Sequence, residues 1–194
     1  MLLDSLTLAR RIKFIILMRK RIGIFGGSFD PPHKGHIEIC RYLLDKNDVD
    51  EIWVVPCFKH PFQKGLAPFA DRITMCRFAF TQFGQKVKVS NIEEKLGETS
   101  YTIKTIEHFM AEHHDHKFYL IMGDDTARES ISWMDSEKLR GMVQFITLPR
   151  GPASPIPDVS STDVRNAIAK GKSFKEMVPK EVAVYIVTKG LYSS

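Results

Sequence analysis

Short blocks of apolar residues alternate along this chain with stretches in which apolar side chains recur every three or four positions. Ile22 to Phe25 and Ile52 to Val55 are brief, β-branched-rich and followed by turn-forming residues, the pattern of strands buried on both faces. Between them Ile37, Cys40, Leu43 and Leu44 repeat at helical spacing, so the first unit reads β-α-β. A second amphipathic helix is expected from about Asp71 to Phe83, with Ile73, Cys76 and Phe80 inward and Gly84 as its stop signal. Lys86 to Ile92 then alternates like a strand. Ser100 or Thr102 can cap a helix carrying Ile103, Ile106 and Met110. Strands are expected at Phe118 to Met122 and Val143 to Leu148, and closing helices at Thr162 to Lys170 and Lys180 to Thr188.

This alternation predicts an α/β protein: a Rossmann-like, doubly wound parallel sheet of about five or six strands with helices on both faces. A length of 194 residues suits one domain with a sizeable core. The Pro- and Gly-rich stretch from Pro149 to Pro157 reads as a surface loop over the sheet. Near the N-terminus an apolar run of five residues ends at Met18, far short of the roughly 20 that span a bilayer. The expectation is a folded domain at 18–194, with Met18 the natural start and 1–17 a start-site artefact or a loosely docked extension.

Composition adds a preference for partners. The chain is 43% hydrophobic and 26% charged, and its net charge of +5 with a pI near 9.1 favours an anion. Nucleic acid, an acidic membrane surface and phosphorylated small molecules all qualify on charge alone. The three cysteines, Cys40, Cys57 and Cys76, show neither a disulfide framework nor zinc-ligand spacing. A reducing, cytoplasmic setting is expected, with no protein-held metal.

In a doubly wound sheet, ligands bind beyond the carboxyl ends of the strands, so the segments that follow strands carry the chemistry. After the first strand comes GGSFDPPHKGH, from Gly26 to His36. Glycines there let backbone N–H groups approach a phosphate, and a helix starting a few residues later aims its positive end at the same place. The segment is neither GxxxxGK[ST] nor GxGxxG. It instead holds His33 and His36 on one side of a helix start, with Gly35 leaving space between them. A second segment, Ser160 to Arg165, opens a helix with hydroxyl caps and sets a guanidinium on its first turn.

These motifs resemble the signature of the HxGH nucleotidyltransferase superfamily, and the second is similar to its S-S-T-x-x-R element. Further likeness narrows the resemblance to the nicotinate (or nicotinamide)-nucleotide adenylyltransferase family. Gly123-Asp-Asp125 with Trp133 resembles its G-x-D-x7-W, and Ser100-Tyr-Thr102 with Thr105 its S-Y-T-x-x-T. Arg72, Met75 and Ala79 resemble its R-x-x-M-x-x-x-A helix, Arg150-Gly151 its arginine near the adenine, and Val182 to Tyr192 its C-terminal V-x-x-Y-I…G-L-Y. The resemblance spans residues 19 to 192.

The resemblance implies adenylyl transfer from ATP, carried with Mg²⁺, to a pyridine mononucleotide, releasing pyrophosphate. It assigns His33, His36 and Arg165 to catalysis. It sets Gly26, Gly27, Ser28, Phe29 and Gly35, with Gly123, Asp125, Arg150, Ser161 and Thr162, against ATP. It leaves Lys59, Lys64, Arg72, Tyr101, Thr102 and Trp133 to the acceptor. No nucleic-acid or membrane partner is implied, and a homo-oligomer is left open.

Two departures touch the acceptor. Where the family usually has P-P-H-K after the second strand, this chain runs Pro56-Cys-Phe-Lys59-His-Pro-Phe-Gln-Lys64, so Lys59 and Lys64 are both candidates for the acceptor phosphate. Asp124 stands where alanine is common. Phosphopantetheine as acceptor, or a non-catalytic nucleotide sensor, are the rival readings.

Overall fold

The computed structural model describes residues 19–61, 65–149, 151 and 154–193. The expected N-terminal extension, Lys64 and Arg150 lie outside the described residues.

Five strands form one sheet: β1 (Lys20–Gly27), β2 (Glu51–Pro56), β3 (Val87–Val89), β4 (His116–Gly123) and β5 (Gln144–Leu148). Their order is β3-β2-β1-β4-β5 and every pairing is parallel. Chain order reverses between β1 and β4, so a crevice opens beyond the carboxyl ends of those two strands. The helices are α1 (Lys34–Asp45), α2 (Phe69–Phe80), α3 (Ile92–Leu96), α4 (Thr102–Glu112), α5 (Asp124–Glu129), α6 (Ser136–Met142), α7 (Ser161–Ala169) and α8 (Lys180–Lys189).

Successive strand residues point to opposite faces, and the core divides accordingly. Phe25, Ile52, Val54 and Ile121 meet α1, α2, α7 and α8 through Cys40, Leu43, Met75, Cys76, Val164, Val182 and Ile186. Ile22, Ile24, Val55, Leu120 and Met122 meet α3, α4 and α6 through Ile92, Ile103, Ile106, Phe109 and Leu139. Cys40 and Cys76 are thus core thiols, and burial raises both pKa values.

Three sequence expectations need correction. The expected strand at Lys86 to Ile92 is only Val87–Val89; Lys86 closes a 3₁₀ segment and Ile92 opens α3. The helix expected to reach Phe83 ends at Phe80, and Thr81–Lys86 continues as 3₁₀ with Gly84 at φ 55°. Neither Ser100 nor Thr102 caps α4: its N-cap is Tyr101, and the Ser100 hydroxyl turns back to the loop after β2. The helices α3, α5 and α6 were not anticipated; at 5, 6 and 7 residues they are too short for a helical period to stand out.

At the opposite end of the sheet Glu51 is nearly buried beneath Lys20, Lys88 and Trp53. It pairs with the Lys20 ammonium, lies 2.8 Å from Lys88 Nζ and accepts the Trp53 indole N–H at 3.2 Å. Burial works against its charge, but these three donors prevail and hold its pKa at about 2.

Candidate active site

The crevice is a cleft of about 720 Å³. Gly26, Gly27 and Ser28 run along its floor with His33, Gly35 and His36. Tyr101, Thr102, Gly123 and Trp133 also line it. Pro157, Asp158 and Val159 come in from the loop ahead of α7.

β1 delivers the chain to this floor, and α1 starts just beyond it with His33 as N-cap. The His33 and His36 rings lie 3.7 Å apart between centroids in a capping-box arrangement. The backbone N–H of His33 donates to His36 Nδ1 at 3.1 Å. That bond settles a tautomer: with Nδ1 accepting, a neutral His36 carries its proton on Nε2. The ring is further fixed by Phe29 at 4.8 Å and Phe25 at 5.7 Å.

Gly26 and Gly35 have different reasons to lack a side chain. A Cβ on Gly26 would meet no protein atom within 4 Å, which leaves its backbone open to a ligand. A Cβ on Gly35 would lie 3.0 Å from the His33 ring and 3.4 Å from the Pro157 carbonyl oxygen, so only glycine lets His33 keep its place. Phe29 is buried under the loop, at φ 48°, and does not line the cleft.

The two strongest motifs are brought together. Arg165 Nη1 donates to the Asp30 carbonyl at 2.6 Å, Nη2 donates to Thr162 Oγ1 at 3.2 Å, and Ser161 Oγ donates to the Pro31 carbonyl at 2.9 Å. α7 is therefore tied to the glycine-rich loop, although these three side chains stand beside the cleft and not on its wall. Ser160 caps α7 in a reciprocal box with Asp163, whose pKa is lowered by the Ser160 hydroxyl and N–H.

The other expected residues divide. Tyr101 and Trp133 line the cleft while resting on the second core, and Thr102 starts α4 at its edge. Asp125 sits in the first turn of α5, its carboxylate accepting the Thr126 N–H at 2.9 Å. Arg72 is buried below the floor: Nε donates to Ala67 O at 2.9 Å and Nη1 to Ser28 O at 2.8 Å. Lys59 is exposed outside the cleft, with Nζ donating to Gly97 O at 3.0 Å. Among the described residues the wall carries His33, His36 and His60 but no lysine or arginine.

Sequence reasoning missed Glu93, and it placed Asp30 and Tyr192 in motifs without the contact that joins them. Asp30 is 1% exposed; its Oδ1 accepts the Ala67 N–H at 3.2 Å and the Tyr192 hydroxyl at 2.7 Å. Tyr192 is thereby tied to the Asp-Pro turn after β1, and burial with Asp30 beside it raises its pKa. Glu93, at the start of α3, lines the cleft while 9% exposed. Burial raises its pKa, opposed by hydrogen bonds from Ser100, the Phe58 N–H and Thr105 and by the charge of Arg72.

The fold and the paired motifs define a nucleotidyltransferase, and comparison with known proteins agrees. The Cytidylyltransferase-like family model matches residues 24–167. A probable nicotinate-nucleotide adenylyltransferase of Anaeromyxobacter sp. (strain K) is 37% identical over 182 residues, 89% of this chain and 97% of that protein. Another of that name from Myxococcus xanthus is 33% identical over 179 residues, 89% and 94% of the two chains. The Plasmodium falciparum nicotinic acid mononucleotide adenylyltransferase complexed with NaAD superposes with a TM-score of 0.77 at 23% identity, covering 90% of this chain and 98% of that one, which is a likeness of fold. The chain belongs to the nicotinate-nucleotide adenylyltransferase family.

Proposed function

We propose that this enzyme transfers the adenylyl group of ATP, entering as its Mg²⁺ complex, to the 5′-phosphate of nicotinate mononucleotide. A phosphate oxygen of the acceptor attacks the α-phosphorus in line, the bond from that phosphorus to the β-phosphate oxygen breaks, and pyrophosphate leaves. The acceptor arrives as an anion, so no protein nucleophile and no general base are required. The protein's task is to hold two anions together and to stabilise charge that shifts onto the α-phosphoryl oxygens and pyrophosphate.

The single observation that carries this reading is the His33–His36 pair at the N-terminus of α1, facing a floor whose glycines leave backbone accessible. His36 offers its Nε2 proton to the phosphates, and the start of α1 adds its positive end. Arg165, tethered to the Asp30 carbonyl, takes charge on the leaving pyrophosphate, with Ser161 and Thr162 beside it. Gly123 and Asp125 serve the nucleotide ribose, and the role of contacting the adenine is assigned to Arg150 from its motif alone. Tyr101, Thr102 and Trp133 enclose the pyridine ring, and the acceptor phosphate falls to Lys64 or to Lys59, whose Nζ would leave the Gly97 carbonyl to reach it. Arg72 supports the floor from below through Ser28.

The test is a pyrophosphate-release assay with ATP and a panel of acceptors: nicotinate mononucleotide, nicotinamide mononucleotide and phosphopantetheine. The expected result is fastest turnover with nicotinate mononucleotide. Preference for phosphopantetheine, or silence with all three, contradicts it.

A further inference from the structure

The loop that follows β2 departs from the family pattern, yet its backbone is held from below by a side chain outside the motifs. Glu93 Oε2 accepts the Phe58 N–H at 3.0 Å and Oε1 accepts the Thr105 hydroxyl at 3.2 Å. Ser100 completes the clamp. Its Oγ accepts the N–H groups of both Phe58 and Lys59 at 3.0 Å, its own N–H donates to the Lys59 carbonyl at 2.9 Å, and its hydroxyl proton goes to Glu93. The same loop is joined to the glycine-rich floor, since the Cys57 N–H donates to the Gly27 carbonyl at 2.8 Å.

We propose that Glu93, acting through Ser100, is the positioning residue that sets the Phe58–Lys59 backbone at the acceptor side of the cleft. Acceptor binding therefore depends on it more strongly than ATP binding, which the loop reaches through the Cys57–Gly27 bond. This rests on the proposed reaction. Glu93 and Ser100 both line the cleft next to Tyr101 and Thr102, and the hydrogen bonds described for Glu93 run to Phe58, Thr105 and Ser100. A carboxylate buried in the first turn of a five-residue helix is costly to keep there, and the three donors that converge on it come from the loop after β2 and from the segment that opens α4.

What the clamp needs is an acceptor aimed at the Phe58 N–H. A glutamine supplies one through its amide oxygen, and its amide nitrogen donates to Thr105, whose hydroxyl accepts as readily as it donates. A leucine of similar size supplies neither. Glu93→Gln and Glu93→Leu thus separate geometry from mere packing, and Ser100→Ala tests the clamp by deleting one oxygen without disturbing the core.

The experiment is two-substrate steady-state kinetics on the full chain, varying ATP and nicotinate mononucleotide independently. Loss of a buried hydrogen bond predicts that Glu93→Leu and Ser100→Ala raise the acceptor KM about tenfold, with a much smaller change in the ATP KM. Glu93→Gln is expected to stay close to wild type. If both KM values rise together, if Glu93→Gln is as impaired as Glu93→Leu, or if neither KM moves, the proposal is overturned. Should Glu93→Leu fail to fold, Ser100→Ala decides alone. A wild type silent with nicotinate mononucleotide removes the proposed function and this inference with it. An active wild type with unshifted Glu93→Leu and Ser100→Ala removes this inference only.

Discussion

Gly35→Ala places one methyl group where the proposed chemistry is most sensitive to position. The added Cβ would lie 3.0 Å from both Cε1 and Nδ1 of His33 and 3.4 Å from the Pro157 carbonyl oxygen. A relaxed contact needs roughly half an ångström more, and His33 cannot yield freely because its ring already lies 3.7 Å from that of His36. Misplacement of a catalytic group by about 1 Å costs on the order of 10²-fold, so the smaller shift predicts a loss of about 10- to 100-fold in kcat. Folding should hardly notice. Alanine gains about 0.5–1 kcal/mol over glycine inside a helix, which offsets most of the crowding. At about 2–4 °C per kcal/mol for a chain of this size, Tm should stay within a few degrees of wild type. The assay is pyrophosphate release at saturating ATP and acceptor, with a thermal melt on the same preparation. Wild-type turnover in Gly35→Ala would refute the placement of His33 at the reacting phosphates.

Other variants test separate parts of the account. His36→Ala removes the Nε2 donor and should lower kcat by about 10²–10³; normal turnover in the purified variant would count against the assignment. Tyr192→Phe deletes the donor to buried Asp30 Oδ1 at 2.7 Å and should cost about 1–2 kcal/mol in urea unfolding, an unchanged midpoint being the contrary result. Glu51, with its pKa depressed from 4.5 to about 2, contributes stability that is full above the unfolded value and is lost as pH falls towards the folded one. With solvent screening of the half-exposed Lys20 and Lys88, its pairing is worth about 2 kcal/mol. The gap in urea midpoint between wild type and Glu51→Gln should therefore shrink as pH falls from 5 to 2; a pH-independent gap would contradict this.

The parts of the molecule legible in the sequence are those where local pattern and tertiary role coincide. Ile22 to Phe25 and Ile52 to Val55 are apolar on both faces because helices cover both sides of the sheet, and strands so buried announce themselves as short runs. The two histidines could be read because their spacing, helix start and glycines lie within eleven residues. Glu93 could not. Val87 and Val89 alternate with lysine and serine neighbours, so the stretch resembled a strand up to Ile92. Nothing near Glu93 shows that Phe58, Ser100 and Thr105, 35, 7 and 12 residues away, converge on its carboxylate. Ser100 misled for a related reason: a hydroxyl two residues before a helix reads as a cap, yet the loop after β2 offers it two N–H groups. Asp30 and Tyr192 each lie in a motif, but their contact across 162 residues is set by how α8 returns over α2, and neither motif shows the pairing.

The central claim, direct adenylyl transfer at the His33–His36 site, is tested most directly with ATP labelled at the α-phosphate and nicotinate mononucleotide as acceptor. The account predicts that label passes into the dinucleotide with one pyrophosphate released per product, that none becomes bound to the protein, and that His36→Ala nearly abolishes the transfer. Label trapped on the protein, or dinucleotide formed at an undiminished rate by His36→Ala, would contradict it.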